Sequence, residues 1–222
     1  SEALKCMNTS KSATPREDGY FQDAASQLVS DLLTQEGNWG EGSVIDVCAA
    51  PGGKASAAVS AGLPVIAADS SLKRLKLARA NSIKLNIKLP LVVSDGTNLP
   101  FRKGKASRVI VDAPCSGLGV LRRRADARWR IKEEDLAVLA DLQLKLLCSA
   151  LTMVKSGGLL IYSVCTLTNL ETIEVDEKFR NLVDVQEIGD LPHPWRKHGR
   201  GGMILPQDLD SEGMSVFCYR VP

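Results

Sequence analysis

The sequence predicts a doubly wound α/β fold: one domain with a mostly parallel sheet of seven strands and helices on both faces. Three observations carry this. Short runs rich in Val, Ile, Leu and Ala alternate with stretches of helical spacing, the pattern of strand–helix–strand crossovers. The strand runs are nearly continuous in apolar residues, as strands covered on both faces require. The 222 residues, 44% hydrophobic and 24% charged, suffice for one such core and exclude a disordered chain.

Residues 1–18 are polar and aperiodic and predict a linker or N-terminal arm, leaving 19–222 as the folded domain. Ala24, Ala25, Leu28, Leu32 and Leu33 recur at helical spacing and predict a helix from Gln22 to Leu33. Val44–Cys48 predicts the first strand, the turn Ala49–Lys54 follows, and small residues carry a helix to about Ala61. Pro64–Ala68 predicts strand two, Ser71–Leu85 a helix, Leu91–Val93 strand three and Arg108–Val111 strand four. A long helix is expected over 132–154, with Leu136, Leu139, Leu142, Leu146, Leu147 and Leu151 on its apolar side. Gly157-Gly158 is expected to turn the chain into strand five, Leu159–Ser163. A helix over 169–180, a strand over 183–188 and a last strand Val216–Tyr219 complete the pattern, with 191–202 as a surface loop.

In such sheets ligands bind beyond the carboxyl ends of the strands, where the strand order reverses. Strand one runs into Pro51-Gly52-Gly53 and then a helix, so backbone can approach a ligand closely beside unpaired N–H groups. Asp69, Asp95 and Asp112 follow three further strands. Asp69 is placed to accept ribose hydroxyls and Asp95 to meet an adenine amino group. The turn lacks the G-x-G-x-x-G pattern and has no Arg or Lys before Lys54, which disfavours a pyrophosphate and favours S-adenosylmethionine.

The formal net charge of +2 hides a local imbalance. Residues 102–132 hold ten basic and two acidic residues, leaving 18 basic and 24 acidic elsewhere. Such a block is the footprint of a polyanion partner, although a solvated basic helix start has the same charge. Aromatic residues, at 5%, supply little for a stacking platform, and Trp129 is expected to be a packing anchor. Six scattered cysteines without a C-x-x-C pair predict a cytosolic protein with free thiols, not a zinc site or disulfide scaffold. His193 and His198 lack partners at ligand spacing, so no metal is expected. No apolar run is long enough to span a bilayer, and the first residues show no secretory leader.

Three ordered blocks, Cys48-Ala-Ala-Pro-Gly-Gly-Lys54, Asp112-Ala-Pro-Cys-Ser-Gly117 and Tyr162-Ser-Val-Cys-Thr166, resemble the signatures of the Sun (Fmu) family of RNA cytosine-5 methyltransferases. Gly19-Tyr-Phe-Gln-Asp23 and Ser211-Glu-Gly-Met214 resemble its outer motifs. The bacterial small-subunit ribosomal RNA enzymes are the most similar members. The resemblance implies a class I, Rossmann-like methyltransferase fold, S-adenosylmethionine as donor, and 5-methylcytosine in RNA, ribosomal rather than transfer, as product. It implies Cys165 as the nucleophile, Cys115 as its partner in product release, and Lys54 and Asp112 beside them. The donor set it implies is Cys48, Ala49, Ala50, Pro51, Gly52, Gly53 and Lys54, with Asp69, Arg74, Asp95 and Asp112. Carbon 5 of cytosine is a poor nucleophile, so thiolate addition at carbon 6 explains the need for cysteine. Arg122, Arg123, Arg124, Arg128 and Arg130 are read as phosphate contacts beside a flipped or single-stranded cytosine. Cys6, Cys48, Cys148 and Cys218 are read as structural. Val164 before Cys165 and Arg124-Ala-Asp126 depart from the family pattern. The alternatives are a non-catalytic RNA-binding or ribosome-assembly factor and a transfer-RNA enzyme. A cytoplasmic monomer is expected, with RNA docking by the basic block or by a domain outside this chain.

Overall fold

The computed structural model describes residues 2–9 and 13–222 and builds the chain around one main sheet. In chain order the elements are α1 (Glu2–Met7), β1 (Thr14–Pro15), β2 (Phe21–Gln22), α2 (Ala24–Thr34), β3 (Val44–Asp46), α3 (Gly53–Ser60), β4 (Val65–Asp69), α4 (Leu72–Lys84) and β5 (Leu91–Val93). There follow β6 (Ala106–Asp112), α5 (Ala127–Arg130), α6 (Glu133–Leu151), β7 (Val154–Val164), a 3-10 turn (Asn169–Glu171), α7 (Ile173–Leu182), β8 (Gln186–Glu187), β9 (Arg196–His198), β10 (Gly201–Ile204) and β11 (Met214–Arg220). The sheet runs β5-β4-β3-β6-β7-β11-β10-β9, with β8 also paired to β11. Strands β3 to β7 are mutually parallel, while β11 and the strands beyond it pair antiparallel. The order reverses at β3, which opens a crevice above the carboxyl ends of β3 and β6.

Period-two side-chain alternation divides the interior between the two faces. Val109, Val111, Leu160, Tyr162 and Val164 face one core with Leu147 of α6 and Phe179 of α7. Ile110, Leu159 and Ile161 face the other with Val29 and Leu33 of α2 and Ala55 and Ala58 of α3. Helix α3 presents small residues where it crosses the sheet, which lets it pack closely. Asp23 caps α2 by accepting from the Ala25 N–H at 3.0 Å, and Ser71 caps α4 through the Arg74 N–H at 3.3 Å.

Five expectations need correction. The main sheet has nine strands, not seven, because 191–202 is not a plain loop but supplies β9 and most of the hairpin to β10. The hairpin closes there because Gly201 and Gly202 let Phe217 and Trp195 come against the backbone, where any Cβ would collide. Strand β7 begins at Val154 and runs through Gly157-Gly158, absorbing them as a register shift against β6 instead of turning. The strand expected over 183–188 shrinks to Gln186–Glu187. In the N-terminal arm, 2–7 is helical and 14–15 pairs with 21–22, so that stretch is not uniformly aperiodic; residues 1 and 10–12 lie outside the described residues.

Candidate active site

The crevice floor is the turn between β3 and α3. Gly52 holds it with φ +98, a conformation that favours glycine, and caps α3. A Cβ on Gly53 would come within 3.2 Å of Gln22 and Tyr20, so the β2 segment leans directly on the turn. Asp69, at the end of β4 and almost wholly buried, accepts from the Ala50 N–H at 3.2 Å and the Ser71 N–H at 2.9 Å. Arg74 pairs with Asp69 at 3.3 Å and donates to the Ala50 carbonyl, so both residues brace the turn. Asp69, Arg74, Cys48 and Asp95 also line one cavity with Leu142 and Leu146. Asp95 is exposed, and the Thr97 N–H at 2.8 Å holds its carboxylate below the ordinary range.

At the ends of β3 and β6 lies a buried charge cluster. The Lys54 ammonium donates to Asp112 Oδ2 at 2.7 Å, and Ser163 Oγ donates to the other Asp112 oxygen at 2.8 Å. Burial pulls the Lys54 ammonium down, but Asp112 outweighs it and the net shift is upward. Asp46, the last residue of β3, is 1% exposed, and its Oδ1 has no hydrogen-bond partner. Burial, with Asp112 nearby, pushes the Asp46 carboxyl up to about 7. Asp46, Lys54 and Asp112 line one wall of a cavity that also touches Tyr20 and Glu212. The sequence reading missed Asp46, although an acid closing an apolar strand before a glycine turn is a visible signal.

Beside this cluster, the loops after β6 and β7 bring Cys115 Sγ to 3.0 Å from Cys165 Sγ, both as free thiols. The hydrogen bond between them lowers Cys165, against burial and with Lys54 assisting, and raises Cys115 well above its ordinary value. Both sulfurs line a cleft of about 410 Å³ with Lys54, Asp112, Arg123 and Glu212. The Gly119 N–H donates to the Cys165 carbonyl at 3.0 Å, and the Gly119 carbonyl accepts from the Gly213 N–H at 2.8 Å, joining three distant segments in one backbone seam. The remaining cysteines stay outside this pair: burial pushes Cys218 up to about 12 and also raises Cys48 and Cys148.

Two polar residues behind the thiols carried no expectation. Glu171 and Gln143 are fully buried and bonded to both cysteine loops. Gln143 stands in the middle of the buried stripe of α6, flanked by Ala140 and Leu147, and a lone polar residue in such a stripe was the available signal.

The basic block does not present all of its cations. The Arg122 side chain is 6% exposed, bonded to Asp210 at 2.8 Å and to the Thr9 carbonyl at 2.7 Å, so it anchors the arm and is not available to a phosphate. Arg128 donates to the Met7 carbonyl at 3.3 Å. Arg123 bridges to Glu212 at 2.8 Å across the cleft mouth, and Arg124 and Arg130 are exposed. Trp129 is 89% exposed, which corrects its reading as a packing anchor: α5 buries only Ala127 and turns the indole outward. Among the described residues no group of three or more His, Cys, Asp or Glu is placed to hold a metal ion, and no helix is long and apolar enough to cross a membrane.

With the site defined, its similarities carry weight. A family model described as 16S rRNA methyltransferase RsmB/F matches residues 32–216. Ribosomal RNA small subunit methyltransferase B of Vibrio vulnificus (strain YJ016) is 32% identical over 212 residues, which cover 92% of this chain and 47% of that protein. The probable ribosomal RNA small subunit methyltransferase B of Bacillus subtilis (strain 168) is 32% identical over 219 residues, covering 90% and 47%. The crystal structure of NSun6 from Pyrococcus horikoshii with SFG matches at TM-score 0.77 and 25% identity, covering 90% of this chain and 52% of that one. That of PH0851 matches at TM-score 0.84 and 25% identity, covering 90% and 46%. The chain spans about half the length of the curated relatives it matches. It belongs to the 16S rRNA methyltransferase RsmB/F family.

Proposed function

We propose that residues 19–222 form the catalytic domain of an RNA (cytosine-5)-methyltransferase acting on ribosomal RNA, with residues 1–18 as an arm that meets its basic block. The observation that supports this most is the pair of thiols 3.0 Å apart beside Lys54 and Asp112 in one cleft. S-adenosylmethionine supplies, when bound, an electrophilic methyl group. The residues suit it: the turn 48–54 offers close backbone, Asp95 and the Asp69–Arg74 pair wall the nucleoside side, and Asp46 offers an unpaired buried oxygen to a cationic amino-acid tail. The one cation in the turn, Lys54, is spent on Asp112, so a phosphate has no partner there.

The Cys165 thiolate adds to carbon 6 of the cytosine, and the electron pair of the 5,6 double bond makes carbon 5 nucleophilic. Carbon 5 takes the methyl group, leaving the donor as a neutral thioether; a base then removes the carbon 5 proton, which re-forms the double bond and expels the Cys165 sulfur. The Cys115 S–H, hydrogen-bonded to that sulfur, stabilises it as a leaving thiolate. Lys54 and Asp112 lie where they can hold the polar edge of the base. Arg124 on the cleft lining, and Arg130 with the exposed Trp129 beyond it, offer phosphate and stacking contacts.

The test is incubation with methyl-labelled donor and unmodified ribosomal or transfer RNA, followed by nucleoside analysis, with Cys165→Ala as control. Label in 5-methylcytosine of ribosomal RNA, absent with Cys165→Ala, is expected. Cys115→Ala should trap a protein–RNA adduct stable to denaturing gels. Bound donor without any transfer would favour the RNA-binding factor, label in transfer RNA alone would move the substrate, and an adduct persisting in the double variant would overturn the Cys165 assignment.

A further inference from the structure

The proposed reaction needs two neighbouring thiols that behave differently, one ionised and one protonated. Equivalent surroundings would leave the shared proton free to sit on either sulfur. Glu171, which closes the 3-10 turn after the Cys165 loop, makes the surroundings unequal. Its Oε1 accepts from the Ser116 N–H at 2.8 Å and the Gln143 amide at 3.1 Å. Its Oε2 accepts from Ser116 Oγ at 2.6 Å, Thr166 Oγ1 at 3.1 Å and Thr168 Oγ1 at 3.0 Å. Ser116 follows Cys115 and Thr166 follows Cys165, so one carboxylate grips the residue next to each thiol. Two of these donors are N–H groups, which can only donate, and they suit an acceptor-only carboxylate.

The grip is itself held from behind. Gln143 also donates to the Pro114 carbonyl at 2.9 Å, just ahead of Cys115. The Tyr162 hydroxyl donates to the Glu171 carbonyl at 2.7 Å and lies 3.0 Å from Gln143 Oε1. Around the pair, the bond to Cys165 and burial disfavour ionisation of Cys115 and Glu171 adds to them, while Lys54 of α3 favours ionisation of Cys165 and Asp112 and Glu212 oppose it. A buried carboxylate bonded to five donors on three segments cannot shift without moving both sulfurs.

We propose that Glu171 is the positioning residue of the thiol pair: it clamps the two cysteine loops at hydrogen-bond distance, and its charge keeps the shared proton on Cys115, leaving Cys165 as the thiolate. This rests on the assignment of Cys165 as nucleophile made above. It is tested without RNA, by the pH dependence of iodoacetamide alkylation of each cysteine, followed by peptide mass in the full chain. Wild type should alkylate Cys165 at lower pH than Cys115. Glu171→Gln should lower the Cys115 midpoint and narrow the gap by at least about one pH unit, the effect of a single charge even ~12 Å away at an effective dielectric near 20. Ser116→Ala keeps the charge but removes the 2.6 Å bond, and should raise the Cys165 midpoint while Cys115 still reacts later. In methyl transfer both variants should lower kcat with the KM for RNA and donor unchanged, a split that general loosening would not give. If thermal melting shows Glu171→Gln unfolded, Ser116→Ala decides alone. Midpoints unchanged in the folded variants overturn the inference and leave the Cys165 assignment standing; a wild type in which Cys115 reacts first overturns both.

Discussion

Replacing Asp46 by asparagine should stabilise the protein, and only above the acid range. Asp46 is 1% exposed, its Oδ1 lacks any partner, and its carboxyl sits at about 7 in the fold against an ordinary value near 3.8. A folded-state value above the unfolded one means that the native state binds the proton more tightly. Stability is therefore full below about pH 4, falls as pH rises from 4 to 7, and stays reduced above 7. Three units at 1.36 kcal/mol each set an upper bound of about 4 kcal/mol for that loss. The amide of the Asp46→Asn variant is neutral at every pH and escapes it. Urea unfolding of wild type and Asp46→Asn at pH 3.5 and pH 8 measures the difference directly. The two proteins should be nearly equal at the lower pH, and the variant more stable by roughly 2–4 kcal/mol at the higher, the lower figure allowing for relaxation around the site. The same change should weaken donor binding, because it removes the negative charge that the cleft wall offers to a cationic amino-acid tail. Equal stability at both pH values, or a gain that does not depend on pH, would refute the reasoning.

Two further outcomes follow from the same geometry. Gly119→Ala places a Cβ against the Gly213 carbonyl and within 2.9 Å of the Cys165 carbonyl, both backbone atoms that cannot rotate away. Overpacking of this kind should cost about 2 kcal/mol and lower Tm by roughly 4–8 °C for a chain of this size; an unchanged melt would show that the seam is looser than described. Arg124→Ala with Arg130→Ala should reduce the slope of log K against log salt for single-stranded RNA by about 1.4, at roughly 0.7 per lost phosphate contact. An unaltered slope, read by filter binding across a salt series, would move the RNA to another face.

The strands of the parallel half of the sheet were legible in the sequence because each is one contiguous apolar run. Leu91–Val93 has the bounds the apolar run predicts, and β3, β4 and β6 differ from expectation by only one or two residues at their ends. The motif cysteines were legible for a different reason, since their blocks name the chemistry before any contact is known. What escaped depends on partners distant in the chain. Strands β9 and β10 carry no alternation of their own and form because β11 offers an open edge. Arg122 looked like its neighbours until Asp210 and Thr9 claimed it. Gln143 and Glu171 carried no expectation, and only the packing of α6 against the 3-10 turn shows that they face inward. The short helix 2–7 meets Arg128 at Met7, and Thr9 just beyond it meets Arg122, a docking that local propensity cannot encode.

The backbone seam through Gly119 divides the chain into a stretch whose length the thiol spacing fixes and a stretch whose exposed side chains it leaves free. Everything before it, from Asp112 onward, is tied by main-chain and side-chain bonds to the Cys165 loop, so a single inserted residue there would separate the sulfurs. Immediately after it, between Val120 and the start of α6, the chain loops outward, with Arg124 and Trp129 exposed. Substitution of Arg124 or Trp129 can therefore recharge the mouth of the cleft while the spacing of the two sulfurs stays fixed.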